Sequence, residues 1–362
     1  MTRKRIYITA FTATNLGDDL FVRALCERYP QHRFYIDCFD SEDTAFETIP
    51  NLTVLNRGNT KGKWMERLQK YSRKIGFSVD FAYDAQVYIG GSIFIEFQED
   101  LKHHGYWKNL YSSRIRRDIP FFILGSNFGP YQTEDFVEKH RDFFRYQVTD
   151  LCMRDKRSYE LFQDLDNVRY APDILCTYKL PELPKKNMVL ISCIYNQNRE
   201  EIRAFDNDAY AKKMIELCRY YVNLGKEVCL LSMCSQQQDQ TMCREIQSHF
   251  TEHVTMAEYT GNIDEILQLF ASAEYIIASR FHAMILGWIA KTPVFPIAYS
   301  DKTSNVIKDF GFSGNHTTIQ KFSGLSCAQI DANRKESFLF DLSDLRDAAQ
   351  NQFLKLDKFL QE

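Results

Sequence analysis

The sequence predicts an α/β protein of two domains, each built on a doubly wound parallel sheet with helices on both faces. The chain has 362 residues, which is more than one hydrophobic core usually supports. Short, almost fully apolar segments alternate with longer segments of helical spacing, as parallel strands joined by crossover helices require. A charged segment with two prolines, "CTYKLPELPKKN" at 176–187, separates two such series and is typical of an interdomain connection.

The apolar segments are the predicted strands. The first domain, 1–178, contains the segments 5–11, 33–39, 85–91, 120–126 and 148–154. The second domain, 188–340, follows a linker at 179–187, and its strands are predicted at 187–194, 226–233, 253–259, 274–279 and 292–298. A helix within 341–362 is expected to pack back on the first domain. Because ligands bind outside the carboxyl ends of strands in open α/β sheets, we expect the two sheets to face a common cleft.

Composition and charge argue against several classes of protein. The formal net charge of -3 argues against a nucleic-acid-binding protein, which usually carries a strong basic excess. The opening residues turn polar too soon for a secretory signal, so we expect none, and no apolar run approaches the roughly 18–20 residues that span a bilayer. The ten cysteines stand in apolar surroundings without the spacing of a zinc site, so we expect reduced, structural thiols in a cytoplasmic protein.

Polar residues follow several strands of the first domain. Asn15-Leu16-Gly17-Asp18-Asp19 follows the first strand, where glycine permits a tight turn and an aspartate can cap the next helix. The alternative is that the Asp18 carboxylate accepts a proton from a hydroxyl nucleophile. Gly90-Gly91-Ser92 ends the third predicted strand, and Gly125-Ser126-Asn127 ends the fourth. Such turns expose backbone amides to an anion or a sugar, although glycines at strand ends often serve only the turn.

Arg154 closes the fifth predicted strand of the first domain. One interpretation pairs its guanidinium with Asp155 or Asp173. The other directs it into the cleft, where a guanidinium would bind an anionic ligand.

The segment "IIASRFHAMILG" at 276–287 places Ser279, Arg280 and His282 between a buried strand and a buried helix. The first amides of a helix can bind an anion, arginine offers a fork of donors to carboxylate or phosphate, and histidine can supply a proton near neutral pH. Tyr299 and Lys302 follow the next strand, at the same expected sheet edge. Three basic side chains on one edge favour a site for an anionic ligand over structural roles for each of them.

Several of these segments together resemble one enzyme family. "NLGDD", "YIGGSIF", "GSNFGP", "MRDKRSYELF", "APDI" and "ASRFHAMILGWIAKTPVFPIAYSDK", in that order over about 5–311, are similar to polysaccharide pyruvyl transferases. The Ser-Arg-x-His element with the later Tyr-x-x-Lys is the most specific part. The resemblance implies two Rossmann-like domains arranged as in the GT-B glycosyltransferases. It also implies transfer of a pyruvyl group from phosphoenolpyruvate to two hydroxyls of a sugar, which gives a cyclic ketal. "GGSIF" departs from the family pattern, because Ser92 stands where members often carry a third glycine or an asparagine.

This resemblance implies roles for the candidate residues. Arg280 and the amides after it would hold the anionic groups of phosphoenolpyruvate, Arg154 and Lys302 would share that charge, and His282 would bind phosphate or deliver a proton. Asp18 is the candidate base for the acceptor hydroxyl. The remaining predicted substrate-binding residues are Asn15, Gly17, Gly90, Gly91, Ser126, Asn127, Ser279 and Tyr299. Because the basic groups already balance the donor's charge, we expect neither a metal ion nor another cofactor.

A basic segment at 61–77, "KGKWMERLQKYSRKIGF", contains six lysines and arginines and one glutamate. Trp64, Leu68, Tyr71 and Ile75 recur at helical spacing, so a basic and an apolar face separate. One interpretation is a surface helix that packs on its own domain. The other is a helix that rests on anionic lipid at the inner face of the plasma membrane. The second interpretation suits an acceptor oligosaccharide carried on a lipid diphosphate.

Two other functions stay open from the sequence. A nucleotide-sugar glycosyltransferase of the same architecture would grip a base and a ribose, commonly through carboxylates of the second domain. A non-catalytic sugar-binding protein would keep the fold without the reaction. The presence of Arg280, His282 and Lys302 argues against this last alternative.

Overall fold

The computed structural model describes residues 2–38, 44–57, 83–96, 110, 115, 118–196 and 205–362. The basic segment 61–77 lies outside the described residues. Within them, no helix combines the length and the apolar character needed to cross a bilayer. The ten cysteines all belong to the described part of the chain, where they are buried and form no disulfide.

The first sheet has seven parallel strands in the order β3-β2-β1-β4-β5-β6-β7. Its strands are β1 Arg5–Thr9, β2 Arg33–Cys38, β3 Leu52–Arg57, β4 Ala85–Ile89, β5 Phe121–Ser126, β6 Asp150–Met153 and β7 Val168–Tyr170. The helices with them are α1 Leu16–Arg28, α2 Glu134–Gln147 and α3 Lys156–Glu160. Every residue of the interior strand β5 is buried, as expected for a parallel strand covered on both faces.

The second sheet has six parallel strands in the order β10-β9-β8-β11-β12-β13. Its strands are β8 Met188–Ser192, β9 Glu227–Ser232, β10 Val254–Glu258, β11 Tyr275–Ala278, β12 Val294–Ala298 and β13 Thr317–Thr318. The longer helices are α4 Asn207–Asn223, α5 Asp239–Gln247, α6 Ile263–Ser272, α7 Phe281–Ile289 and α8 Asp301–Asp309. Further helices follow at α9 Ile319–Phe322, α10 Cys327–Ile330, α11 Ala332–Lys335, α12 Ser343–Ala349 and α13 Leu354–Gln361, with short 3-10 helices at Ile174–Thr177 and Gln350–Phe353.

The predicted fold class of two doubly wound parallel sheets is confirmed, and every predicted strand is present. Three strands were not predicted: β3, β7 and β13. Each lies at an edge of its sheet. An edge strand is covered less than a central one, so its sequence is less apolar and gives a weaker pattern.

The chain divides into two compact units. The first consists of Met1–Ala13, Asp18–Ala171 and Asn351–Glu362, and the second of Thr14–Gly17 and Pro172–Gln350. The division therefore falls at 171/172, whereas the sequence placed it at 178. The segment predicted as a linker, 179–187, belongs to the second unit, where the Lys185 ammonium donates to the carbonyls of Ala271 at 2.9 Å and Ala290 at 3.0 Å.

The C-terminal helix α13 packs within the first unit. Asp357 on this helix accepts hydrogen bonds from Arg28 Nη2 at 2.8 Å and from the Tyr29 hydroxyl at 2.7 Å. The Lys4 ammonium lies 4.1 Å from the centre of the Phe359 ring. The preceding helix α12 belongs to the second unit, so only the last part of the predicted helical region 341–362 joins the first unit.

Candidate active site

The helix α7 begins where the central strand β11 of the second sheet ends. Arg280 is the N-cap residue, with φ -102° and ψ 140°, and its carbonyl accepts the Met284 N–H at 3.2 Å. The hydroxyl of Ser192, at the end of the neighbouring strand β8, accepts the N–H groups of Ser279 at 3.0 Å and Arg280 at 3.2 Å. The Ser279 hydroxyl lies 2.7 Å from the Tyr210 hydroxyl inside the core. Ser279 therefore anchors the strand end with its side chain.

The Arg280 guanidinium is buried in an ion pair with Asp239. Its Nε donates to Asp239 Oδ2 at 2.8 Å, its Nη2 donates to Oδ1 of the same carboxylate, and its Nη1 donates to Gln237 Oε1. Burial lowers the pKa of Arg280 and the Asp239 carboxylate raises it, with a net upward shift. The sequence assigned the forked edge of Arg280 to an anionic ligand. In the structure, the Nε and Nη2 groups that form this edge donate to the Asp239 carboxylate.

Asp239 is a site residue that the sequence analysis missed. It is fully buried and begins helix α5. Its Oδ2 also accepts the backbone N–H groups of Met233 at 3.3 Å and Cys234 at 3.1 Å, which belong to the loop after β9. A single acidic residue after the run of glutamines at 236–238 carries no motif, so only the tertiary contact identifies it.

The segment 14–17 lies against this loop. The Leu16 N–H donates to the Met233 carbonyl at 3.1 Å, and the Ser235 N–H donates to the Thr14 carbonyl at 3.4 Å. The Asn15 side chain turns back to accept the Gly17 N–H at 3.2 Å. The predicted turn at "NLG" is thus part of the second unit.

His282 packs on Gly17. A Cβ on Gly17 would lie 1.6 Å from His282 Nδ1, so the imidazole reaches the glycine backbone. On its other edge, Nε2 is 3.8 Å from Asp173 Oδ2. Asp173 is fully buried and caps the 3-10 helix that follows it by accepting the Leu175 N–H at 2.9 Å. Asp173, from the quoted "APDI", is the second site residue whose proximity the sequence did not predict.

Tyr299 and Lys302 follow the neighbouring strand β12. Tyr299 is buried, and the Lys302 ammonium lies 5.3 Å from the centre of its ring. Because β12 pairs in parallel with β11, both strands end at one edge of the sheet. The second unit thus brings together seven of the predicted residues: Asn15, Gly17, Ser279, Arg280, His282, Tyr299 and Lys302.

The other predicted residues belong to the first unit, where Arg154 and Asn127 are in contact. Arg154 Nη2 donates to Asn127 Oδ1 at 2.6 Å, and the Ser92 hydroxyl donates to the same oxygen at 3.2 Å. The guanidinium lies on Gly91, where a Cβ would stand 2.6 Å from both Nη atoms. The closeness of Arg154 therefore requires the second glycine of "GGS".

Three further predicted residues stand near this group. A Cβ on Gly90 would lie 4.0 Å from Asp18 Oδ1, so the carboxylate is close to the end of β4. The buried Ser126 hydroxyl lies 3.8 Å from the Met153 sulfur. Ser92, which replaces the third glycine or asparagine of the family pattern, is one of the residues that hold Asn127. Among the described residues, no group of three histidine, cysteine or acidic side chains could hold a metal ion.

Solved structures share the fold of the whole chain. UDP-GlcNAc 2-epimerase from Neisseria meningitidis, bound to UDP-GlcNAc, matches with a TM-score of 0.60 at 10% identity, covering 100% of both chains. The UDP-GlcNAc 2-epimerase from Methanocaldococcus jannaschii matches with a TM-score of 0.56 at 11% identity, over 99% of this chain and 100% of that one. Anabaena Alr3699/HepE in complex with UDP-glucose matches with a TM-score of 0.54 at 12% identity, over 98% of this chain and 100% of that one. At these identities the likeness concerns the fold alone, which is GT-B-like.

The family is shown by a separate comparison. The family model described as polysaccharide pyruvyl transferase matches residues 15–301. The match begins at the segment that seats His282 and ends beside Lys302, so it contains Arg280, His282 and both buried aspartates. The chain belongs to the polysaccharide pyruvyl transferase family.

Proposed function

We propose that this protein transfers a pyruvyl group from phosphoenolpyruvate to two hydroxyls of a sugar. The observation that carries the proposal is the convergence of Arg280, His282 and Gly17 at the start of α7, within the matched part of the chain. A histidine and an arginine beside the first amides of a helix suit a small anionic donor that must also receive a proton.

The reaction balances without an oxidant or a reductant. A proton adds to the methylene carbon of phosphoenolpyruvate, and the oxygen of the first hydroxyl bonds to the central carbon. The bond from that carbon to the phosphate oxygen then breaks, and the second hydroxyl closes the ketal. Of the two hydroxyl protons, one ends on the new methyl group and the other leaves with inorganic phosphate.

His282 is the candidate proton donor or phosphate ligand. Its ring is fixed on one edge by Gly17 and approached on the other by Asp173. A fixed ring lowers the cost of reaching the reactive geometry. Replacement of His282 by alanine should reduce turnover by about 10²–10⁴-fold if the ring transfers a proton. An effect limited to the KM for phosphoenolpyruvate would instead make His282 a binding residue.

The contacts of Arg280 limit how it can hold the donor. Three of its N–H groups already serve Asp239 and Gln237. A guanidinium has five such groups, so two make no hydrogen bond to the described residues, and we propose that these two bind a carboxylate or phosphate oxygen. Because Asp239 already balances the charge of Arg280, the donor's charge would be met mainly by Lys302 and the helix amides, with His282 as the proton donor or phosphate ligand. We propose Asp18, in the first unit, as the base for the acceptor hydroxyl.

The acceptor that we propose is an oligosaccharide on a lipid diphosphate, a precursor of a bacterial surface polysaccharide such as a capsule. The reaction would then take place in the cytoplasm, at the inner face of the plasma membrane. Support for this part comes from the sequence, through the basic segment 61–77. Sedimentation with anionic vesicles, with and without charge reversal at Lys70, Arg73 and Lys74, tests it. Equal sedimentation of both proteins would contradict a role for this segment.

Mass spectrometry of lipid-linked oligosaccharides incubated with the protein and phosphoenolpyruvate tests the proposed reaction. We expect a pyruvate-sized gain in mass together with release of inorganic phosphate, and both should form far more slowly with the His282→Ala variant. We also propose that no metal ion takes part, so EDTA should leave turnover unchanged. A loss that a divalent cation restores would overturn this last point.

A nucleotide-sugar glycosyltransferase is the second candidate, because Anabaena Alr3699/HepE shares the fold and its structure contains UDP-glucose. A thermal shift assay with phosphoenolpyruvate and a panel of nucleotide sugars separates the two candidates. Stabilisation by a nucleotide sugar, and none by phosphoenolpyruvate, would favour the glycosyltransferase.

A further inference from the structure

The Asp239 carboxylate connects two of the basic residues of the candidate site, Arg280 and His282. Directly, its two oxygens hold the Nε and Nη2 groups of Arg280. Its connection to His282 is indirect: Oδ2 accepts the backbone N–H groups of Met233 and Cys234 and so fixes the loop after β9. Both sets of contacts are made by one fully buried side chain.

That loop also supports the seat of His282. The Met233 carbonyl accepts the Leu16 N–H at 3.1 Å, and Asn15 forms a bridge with Cys234 in antiparallel fashion. Gly17, which follows Leu16, contacts the imidazole of His282. The loop 233–235 thus stands between Asp239 and the glycine that locates the ring.

We propose that Asp239 is the positioning residue of the donor site, aiming the Arg280 guanidinium and fixing the segment on which His282 rests. The proposal rests on the proposed function, because it assigns both positioned side chains to phosphoenolpyruvate. Asp239 acts through its neighbours, since both of its oxygens are occupied by protein groups. Gln237 completes the arrangement by holding Nη1, and it is only half-buried.

Asparagine at 239 is the informative substitution. Asp239→Asn keeps the shape of the side chain but leaves one oxygen to serve either the loop amides or the arginine fork. We expect kcat/KM for phosphoenolpyruvate to fall by at least about tenfold, since a charged hydrogen-bonding partner is lost. The KM for the acceptor should stay at its wild-type value. A wild-type kcat/KM for phosphoenolpyruvate in a folded Asp239→Asn protein would overturn the proposal.

The two adjacent glutamines give a test that does not depend on a buried substitution. Gln237→Ala removes the bond to Nη1, whereas Gln236→Ala changes an exposed neighbour in the same loop. We expect the first to raise the donor KM by roughly threefold to tenfold and the second to leave it unchanged. Equal donor kinetics in the two variants would overturn the proposal, even where Asp239→Asn does not fold.

A spectroscopic measurement separates positioning from general destabilisation. In protein labelled with ¹⁵N-arginine, the buried Nε–H of Arg280 should give a slowly exchanging signal, identified by its absence in Arg280→Lys. The signal should persist in Gln236→Ala and be lost or fast-exchanging in folded Asp239→Asn. Its persistence in Asp239→Asn would show that the carboxylate does not hold the guanidinium.

The wild-type protein distinguishes failure of this inference from failure of the proposed function. A wild-type protein that neither binds phosphoenolpyruvate nor transfers a pyruvyl group would reject the function, and the inference with it. A wild-type protein that transfers the group, beside an Asp239→Asn variant with the same donor kinetics, would reject the inference alone.

Discussion

The imidazole of His282 occupies the place that a side chain on Gly17 would take. A Cβ at this position would lie 1.6 Å from Nδ1 and 2.4 Å from Cε1. Real side chains do not approach so closely, so the contact requires glycine. The glycine of "NLGDD", which the sequence assigned to a tight turn, therefore also receives the catalytic candidate.

Alanine at position 17 should impair activity without impairing the fold. Gly17 lies in the first turn of α1, where alanine is more favourable than glycine by about 0.5–1 kcal/mol. The new methyl group would displace the His282 ring, and we expect turnover to fall by on the order of 100-fold, as for an ångström-sized misplacement. Steady-state kinetics and thermal unfolding measure the two effects.

The matched control for this prediction is Gly17→Ala in a protein that lacks the imidazole of His282. In a His282→Ala background, Gly17→Ala should cause no further loss of turnover. A wild-type turnover in the single Gly17→Ala variant, or an equal additional loss in the double variant, would contradict the contact.

Lysine at position 280 should reduce both activity and stability. An ammonium cannot satisfy Asp239 at two oxygens and Gln237 at the same time. We expect a loss of roughly 3 kcal/mol in the free energy of unfolding, as for a broken buried pair, and a turnover reduced by at least about 100-fold. Urea unfolding measures the free energy of unfolding, and phosphate release measures the turnover.

Arg244→Lys is the matched control, because Arg244 lies on the helix that Asp239 begins. Its ion pair with Glu258 spans 3.2 Å, with 64% of the arginine side chain exposed. An exposed pair contributes less than about 1 kcal/mol. Comparable effects of the two lysine substitutions would mean that the burial of the Arg280 pair has no energetic consequence.

His140 should make the first unit sensitive to acid. The ring is buried among Phe94, Phe128, Phe136 and Phe144, and its Nδ1 lies 2.7 Å from the Phe136 carbonyl. Burial lowers the pKa of His140 from 6.5 to about 3 in the folded protein. Between these two values the unfolded chain binds the proton and the folded chain does not. Stability is therefore full above about pH 6.5 and falls as the pH decreases.

The expected slope is about 1.4 kcal/mol per pH unit below the unfolded pKa. Urea unfolding at a series of pH values between 7 and about 4 measures it. His140→Phe should flatten this dependence, because a phenyl ring fits the aromatic surroundings and does not titrate. His249→Phe is the control, since His249 is exposed. A slope that survives in His140→Phe would assign the acid sensitivity to other groups.

Asp357 should stabilise the first unit through the C-terminal helix. Its carboxylate accepts hydrogen bonds from both Arg28 and Tyr29, and the pKa of the Tyr29 hydroxyl is raised by burial and by Asp357. Asp357→Ala should cost roughly 1–3 kcal/mol in the free energy of unfolding, because two partners lose their acceptor. Lys355→Ala, at an exposed position of the same helix, should cost almost nothing. Equal unfolding midpoints for the two variants would refute the role of Asp357.

The sequence by itself determined the fold class and all the interior strands of the two described sheets. Almost fully apolar segments such as 121–126 become buried only when both faces of the sheet are covered, so the pattern predicts parallel strands directly. The edge strands β3, β7 and β13 were missed because a strand with one neighbour has less need of apolar residues. The family resemblance of Ser279-Arg280-Phe281-His282 could also be recognised from neighbouring residues alone. The end of the strand, the N-cap and the start of the helix follow one another in the chain.

Only the tertiary structure decided which partners these residues have. Asp239 and Asp173 lie 41 and 109 positions before Arg280 and His282 in the sequence, and no spacing rule relates them. The ion pair of Arg280 with Asp239 is therefore a contact that the sequence did not predict. Likewise, residues 14–17 join the second unit although most of α1 belongs to the first. The physical reason is that periodicity encodes which face of an element is buried, whereas the pairing of charges across a sheet edge depends on which strands become neighbours.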